Sequence, residues 1–218
     1  MSDLYKDPIG TAEKAAKEIA KLTKKEKHDV ALVMGSGWIS AADALGTATH
    51  EFSVTDLPGF PAPTVAGHGG KVRSYELANS VNALVFLGRT HFYEGLGMEP
   101  VAHAVRTAVK AGCRTIVLTN ACGGINTDYK VGQPVLIKDH ISLTAASPLI
   151  GADLVGMSTV PEAIAAHALG AKILAISLVT NAAAGVTGEK LNHAEVISAG
   201  KAAADRMGNL LAKVLPKL

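Results

Sequence analysis

An α/β fold built on a mainly buried, mainly parallel sheet is what this 218-residue sequence predicts. Three observations predict it. Short apolar runs of strand length end at glycine turns, as strands buried on both faces do. Two of these runs flank a helical stretch with short connections, the pattern of a parallel crossover. The composition, 48% apolar with 22 glycines, suits a packed α/β chain and excludes a disordered or coiled-coil one.

The elements follow in order. Gly10 to Lys27 reads as an amphipathic helix, with Ala12, Ala16, Ile19, Ala20 and Leu22 at helical spacing and lysines between them. Asp29-Val-Ala-Leu-Val-Met34 is a buried strand that breaks at Gly35-Ser36-Gly37. Leu57 to Gly70 is rich in proline and glycine and reads as a long loop. Ala83 to Gly88 and Thr115 to Asn120 are strands, with a helix from Pro100 to Ala111 joining them. Val135 to Ser142 and Ile173 to Thr180 are strand-like, and His193 to Val214 is a long alanine-rich helix. There is no internal repeat, and 1–218 reads as a single domain.

Bulk properties narrow the function classes. A net charge of +2 is too small to attract nucleic acid or a membrane surface, so any anionic ligand needs a local site. Two cysteines, Cys113 and Cys122, are too few for a disulfide framework and read as reduced thiols. The polar, lysine-rich stretch from Met1 to Lys27 has no signal-peptide core, and no apolar run is long enough to span a bilayer. A cytoplasmic location is expected.

Three segments carry candidate chemistry. Gly35-Ser36-Gly37 follows a buried strand, where open α/β sheets bind ligands, and its amides and hydroxyl suit an anion. A glycine turn without a ligand explains it as well. In Arg89-Thr-His91-Phe-Tyr93, alternation lets Arg89, His91 and Tyr93 face one side, offering a guanidinium fork and further donors to phosphate. The plainer reading pairs Arg89 with Glu94 and buries the aromatics. Leu118-Thr-Asn-Ala-Cys-Gly-Gly124 ends a third strand in small residues that leave backbone groups open to a ligand. His68 and His193 have no local pattern to decide their roles. No spacing suits a zinc site or a nucleotide-triphosphate loop.

Taken in order, eight segments resemble the trimeric type of purine nucleoside phosphorylase. They are Val33-Met-Gly-Ser-Gly-Trp38, Leu57-Pro-Gly-Phe60, Gly67-His-Gly-Gly70, Gly88-Arg-Thr-His-Phe-Tyr-Glu-Gly95, Leu118 to Gly124, Gly156-Met-Ser-Thr-Val-Pro-Glu162, Ser177-Leu-Val-Thr-Asn181 and Asn192-His-Ala-Glu195. The resemblance implies a three-layer α/β/α fold with a mainly parallel, mixed sheet. It implies phosphorolysis of purine nucleosides in salvage by a cytoplasmic homotrimer, with inorganic phosphate as co-substrate and no metal or organic cofactor. Phosphate is then expected at Ser36, His68, Arg89, His91, the backbone of Ala121, and Ser158. Tyr93 and Met157 are expected against the ribose, His193 at its 5'-hydroxyl and Asn181 at the purine. His91, Asn181 and His193 would carry the catalysis. Methylthioadenosine phosphorylases, the sister group, carry Asp where this chain has Asn181, which points to 6-oxopurines.

One departure stands out. Ser147-Pro-Leu-Ile-Gly151 runs directly into Ala152-Asp-Leu-Val-Gly-Met-Ser158, where the family has several tens of residues. That stretch carries a lid, a helix and a glutamate for the purine N1 edge. Two accounts stay open: a mobile lid left out of the sequence, which is preferred, or a true deletion at about 150–151. A true deletion allows a catalytically impaired phosphate- or nucleoside-binding protein. A dinucleotide oxidoreductase is a third class, and Gly35-Ser-Gly-Trp-Ile-Ser40 lacks the third glycine it needs.

Overall fold

The computed structural model describes residues 2–62, 70–142, 152–187 and 192–218. A mixed sheet forms the middle layer. Its strands are β1 (Val30–Val33), β2 (His50–Ser53), β3 (Lys71–Glu76), β4 (Asn82–Leu87), β5 (Thr115–Gly124), β6 (Pro134–Leu136), β7 (Leu154–Val155) and β8 (Lys172–Ala182). The order is β2-β3-β4-β1-β5-β8-β6, with β7 pairing β5. β4, β1, β5 and β8 run parallel, while β2, β3, β6 and β7 add antiparallel pairs around them. The parallel centre thus carries an antiparallel surround.

The central strands are apolar at consecutive positions because both faces are covered. Ala31, Val33, Leu84, Phe86, Ile116 and Leu118 face the first helical layer. That layer is α2 (Pro8–Thr23), α3 (Met98–Lys110) and α4 (Val160–Ala168), which contribute Ala15, Ala16, Ile19, Val105, Ala108 and Ala166. A short helix α1 (Ser2–Lys6) leads into α2. On the other face, Val30, Leu32, Val85, Val117, Ile176 and Leu178 meet a 3-10 segment (Ile39–Leu45) and α5 (His193–Val214) through Ala41, Ala42, Ala203, Met207 and Leu211. The result is the expected three-layer α/β/α architecture.

The differences from expectation are local. The first helix ends at Thr23, four residues early, with Lys24 in the left-handed conformation that closes it. β5 and β8 extend beyond their apolar runs into Gly124 and Ala182, because each supplies the other's hydrogen bonds. The strand expected over 135–142 is only Pro134–Leu136, the part that finds a partner in β8. β2, β3 and α4 were not foreseen. β2 and β3 carry His50, Glu51, Lys71 and Arg73, whose polar side chains interrupt the apolar run a buried strand would show.

Among the described residues no helix is long and apolar enough to cross a membrane. Cys113 and Cys122 are both buried free thiols, and burial pushes Cys122 up to about 12, which keeps it protonated and unreactive at neutral pH.

Candidate active site

The C-terminal ends of parallel strands are where an α/β sheet exposes loops to a ligand, and here β1 and β4 end together while β5 runs on beside them to Gly124. The loop after β1 lies against β5. A Cβ on Gly35 would come within 2.6 Å of the Thr119 carbonyl, and one on Gly37 within 3.0 Å of Gly200 in α5. Gly37 also has φ of +77°. Glycine at both positions is therefore required by packing and backbone shape. The Gly35 amide donates to Thr119 Oγ1 at 3.3 Å, and the Trp38 indole N–H donates to the Asn120 carbonyl at 2.9 Å. Ser36, half-buried between these glycines, is thus held beside the Thr119–Asn120 stretch of β5, which Ala121 follows within the strand.

Arg89 follows β4 and turns inward. Its side chain is 1% exposed and forms an ion pair with Glu162 at 2.9 Å. Nη1 also reaches Thr159 Oγ1 at 3.4 Å, while Nη2 donates to the Val33 carbonyl at 3.0 Å and to the Thr119 carbonyl. Arg89 therefore ties the end of β1 and the middle of β5 to the N-terminus of α4. Its partner is not Glu94, so the plainer sequence reading is corrected on this point. Glu94 instead accepts from the His91 amide and lies 3.5 Å from His91 Nδ1. Nor are the neighbouring aromatics core: Phe92 and Tyr93 are exposed.

The simple alternation of Arg89, His91 and Tyr93 also gives way, because Phe92–Glu94 is a 3-10 turn. That turn still stacks Tyr93 on His91, with ring centroids 4.8 Å apart and planes 19° from parallel. Burial, then Glu94, raises the Tyr93 phenol above its ordinary range. His91 and Tyr93 open onto a cavity of about 1450 Å³ whose lining also includes Met157 and Ser158. Ser158 Oγ lies 3.3 Å from Thr159 Oγ1, which links it to the Arg89 network.

Four expected residues thus share the cavity wall: His91, Tyr93, Met157 and Ser158. Ser36 and Arg89 follow the ends of β1 and β4, Ala121 lies within β5, and none of the three lines the cavity. Asn181 is in β8, next to a register shift that leaves Thr180 without a partner in β5. Bulges of this kind re-aim side chains near functional sites. Its Oδ1 accepts from Thr180 Oγ1 at 2.9 Å, and its Nδ2 donates to the Ala182 carbonyl at 2.7 Å. Asn181 and His193 do not line the cavity, and His193 is exposed in the first turn of α5. His68 lies outside the described residues, as does the Ser147–Gly151 junction.

Sequence reasoning missed Glu162, Thr159 and Asn120. Glu162 is fully buried, and Asn120 donates to Thr159 Oγ1 at 2.9 Å. One signal was available: Thr159-Val-Pro-Glu162 has the spacing of a capping box followed by helix formers.

Comparison with known proteins agrees with this geometry. The phosphorylase superfamily model matches residues 29–152 and 148–216. Purine nucleoside phosphorylase of Mycobacterium tuberculosis is 44% identical over 268 positions, covering 100% of both chains. The Cellulomonas sp. purine nucleoside phosphorylase is 41% identical, covering 98% of this chain and 95% of its own. Purine nucleoside phosphorylase of Schistosoma mansoni, solved with adenosine, superposes with a TM-score of 0.83 at 26% identity, over 96% of this chain and 97% of that one. A 218-residue chain cannot fill 268 aligned positions, so about 50 of them have no counterpart here. By strand order, layers and full-length similarity alike, this chain belongs to the phosphorylase superfamily, among its purine nucleoside phosphorylases.

Proposed function

We propose that this chain catalyses the phosphorolysis of 6-oxopurine nucleosides such as inosine and guanosine, using inorganic phosphate and releasing the free base and ribose 1-phosphate. The observation that carries it is the chain of contacts from Arg89, at the end of β4, through Thr159 to Ser158 on the cavity wall, in a chain 44% identical to a purine nucleoside phosphorylase. Phosphate bound there attacks the anomeric carbon. The new C–O bond forms as the glycosidic C–N bond breaks, and the bonding pair leaves with the purine, which takes up a proton. Positive charge develops on the sugar and negative charge on the base, so positioning and preorganised donors dominate the rate. Asn181 can donate to the charging purine once its Nδ2 exchanges the Ala182 carbonyl for the base. A neutral amide does this without the cost of burying an ion. Asparagine at this position disfavours the methylthioadenosine alternative.

Function in purine salvage, a cytoplasmic location, a homotrimer and independence from metal or organic cofactors belong to the same proposal. The two matched stretches meet at about residues 150–151, and the unfilled alignment positions fit both accounts of the gap there, a lid left out of the sequence, which is preferred, or a true deletion. By resemblance the missing stretch carries the glutamate for the purine N1 edge, so the phosphate half is expected to be more complete than the base half. Hypoxanthine release from inosine, with phosphate present or omitted, tests the activity. Turnover that saturates in phosphate supports it, and turnover indifferent to phosphate overturns it. An intact mass near 22.4 kDa supports the deletion, while one several kilodaltons higher contradicts it.

A further inference from the structure

Thr159 has φ of +83° and ψ of −46°, a backbone conformation that β-branched residues rarely adopt. Such strain persists only where surrounding contacts over-determine it, and it gathers at functional sites. The contacts here are specific. The Thr159 amide donates to Glu162 Oε2 at 2.9 Å, and the other carboxylate oxygen, Oε1, accepts from Arg89 at 2.9 Å. The Thr159 hydroxyl receives Asn120 Nδ2 at 2.9 Å and Arg89 Nη1 at 3.4 Å, and lies 3.3 Å from Ser158 Oγ. One fully buried carboxylate therefore holds both the arginine behind the site and the strained loop that presents Ser158 to the cavity. Stability alone does not call for a carboxylate here, because well-packed apolar residues replace buried ion pairs without loss.

We propose that Glu162 and Thr159 are positioning residues for the phosphate subsite, fixing Arg89 and Ser158 relative to one another. The inference rests on the phosphorolysis reading above. Neither residue needs to touch the substrate. Glu162→Gln keeps the volume but turns one acceptor into a donor facing Arg89 or the Thr159 amide. Thr159→Val keeps the shape but removes the hydroxyl that Asn120 and Arg89 share, and Thr159→Ser restores it.

The test is steady-state kinetics with inosine and inorganic phosphate varied separately, on wild type and these three variants, with melting temperatures alongside. KM for phosphate is expected to rise about tenfold in Glu162→Gln and Thr159→Val, with KM for inosine changed by less than about twofold. Thr159→Ser is expected to stay near wild type. If Glu162→Gln fails to fold, Thr159→Val and Thr159→Ser decide the matter. The inference is overturned if both KM values rise together, or if phosphate KM is unchanged in folded variants of an active enzyme. Wild-type protein without phosphate-dependent turnover removes the phosphorolysis reading, and this inference with it.

Discussion

The two flanks of the cavity are built differently. On one, the ends of β1 and β4 and the middle of β5 are locked by Arg89, Glu162, Thr159 and Asn120, each at most 9% exposed. On the other, around β6, β7 and the outer face of α4, large apolar side chains stand open: Leu136 is 68% exposed, Ile141 55%, Met157 76% and Ile164 51%. The closed flank joins the sheet, through Arg89 and Asn120, to the N-terminus of α4, through Thr159 and Glu162. The open flank is made by short segments on either side of residues 142 and 152, where the family match divides. Phosphate recognition on this account belongs to the part of the molecule that folding specifies most strongly, and base recognition to the part it specifies least.

Breaking the closed flank should have the largest effect. Arg89→Ala leaves the Glu162 carboxylate buried without its cation, and urea denaturation should show a loss of about 3–5 kcal/mol. A loss below about 1 kcal/mol would mean that the pair is solvated and that the flank is not closed.

Acid should attack the opposite end of the same strands. His28, buried at the start of β1 and 3.0 Å from Ser74 Oγ, is pushed down to about 4 by burial, and next by Lys25. The unfolded chain, with the ordinary histidine value of 6.5, binds the proton more tightly. Stability is then undiminished above about pH 6.5 and falls as pH drops toward 4, by about 3 kcal/mol in all. Denaturation of wild type and His28→Gln across this range checks it: the variant should lose much of the slope, and equal slopes would assign the acid sensitivity elsewhere.

On the base side the expected effects are smaller. Asn181→Asp should move the inosine-to-adenosine ratio of kcat/KM toward adenosine by about tenfold, roughly the worth of one hydrogen bond. An unchanged ratio removes Asn181 from base recognition. Smallest of all, Leu136→Ser and Ile164→Ser should each change stability by no more than about 0.5 kcal/mol, as exposed positions do. A loss well beyond that in either variant would show that the open flank is covered in solution.

The same contrast explains what was legible in the sequence. β1, β4, β5 and β8 could be read because burial on both faces leaves runs such as Val30-Ala-Leu-Val33 and Ile116-Val-Leu118. α5 was read to the residue from its alanine-rich span, and the structure adds Asn192 as its N-cap. β3 was not, because Lys71 and Arg73 meet Glu51 across an antiparallel pair and the apolar pattern is broken. The candidate site divides along the same line. His91, Tyr93, Met157 and Ser158 were named from motifs and do share a wall. The Arg89–Glu162 pair joins residues 73 positions apart, and no local period reports such a contact. Asn181 sits beside a bulge that strand alternation cannot reveal.

Binding of inorganic phosphate in the absence of nucleoside, followed by titration calorimetry, tests the central claim most directly. If the closed flank, where the sheet meets the start of α4, is a phosphate subsite, phosphate alone should bind saturably to wild type and much more weakly to Thr159→Val. Saturable binding only after inosine is added, or none at all, would contradict the claim.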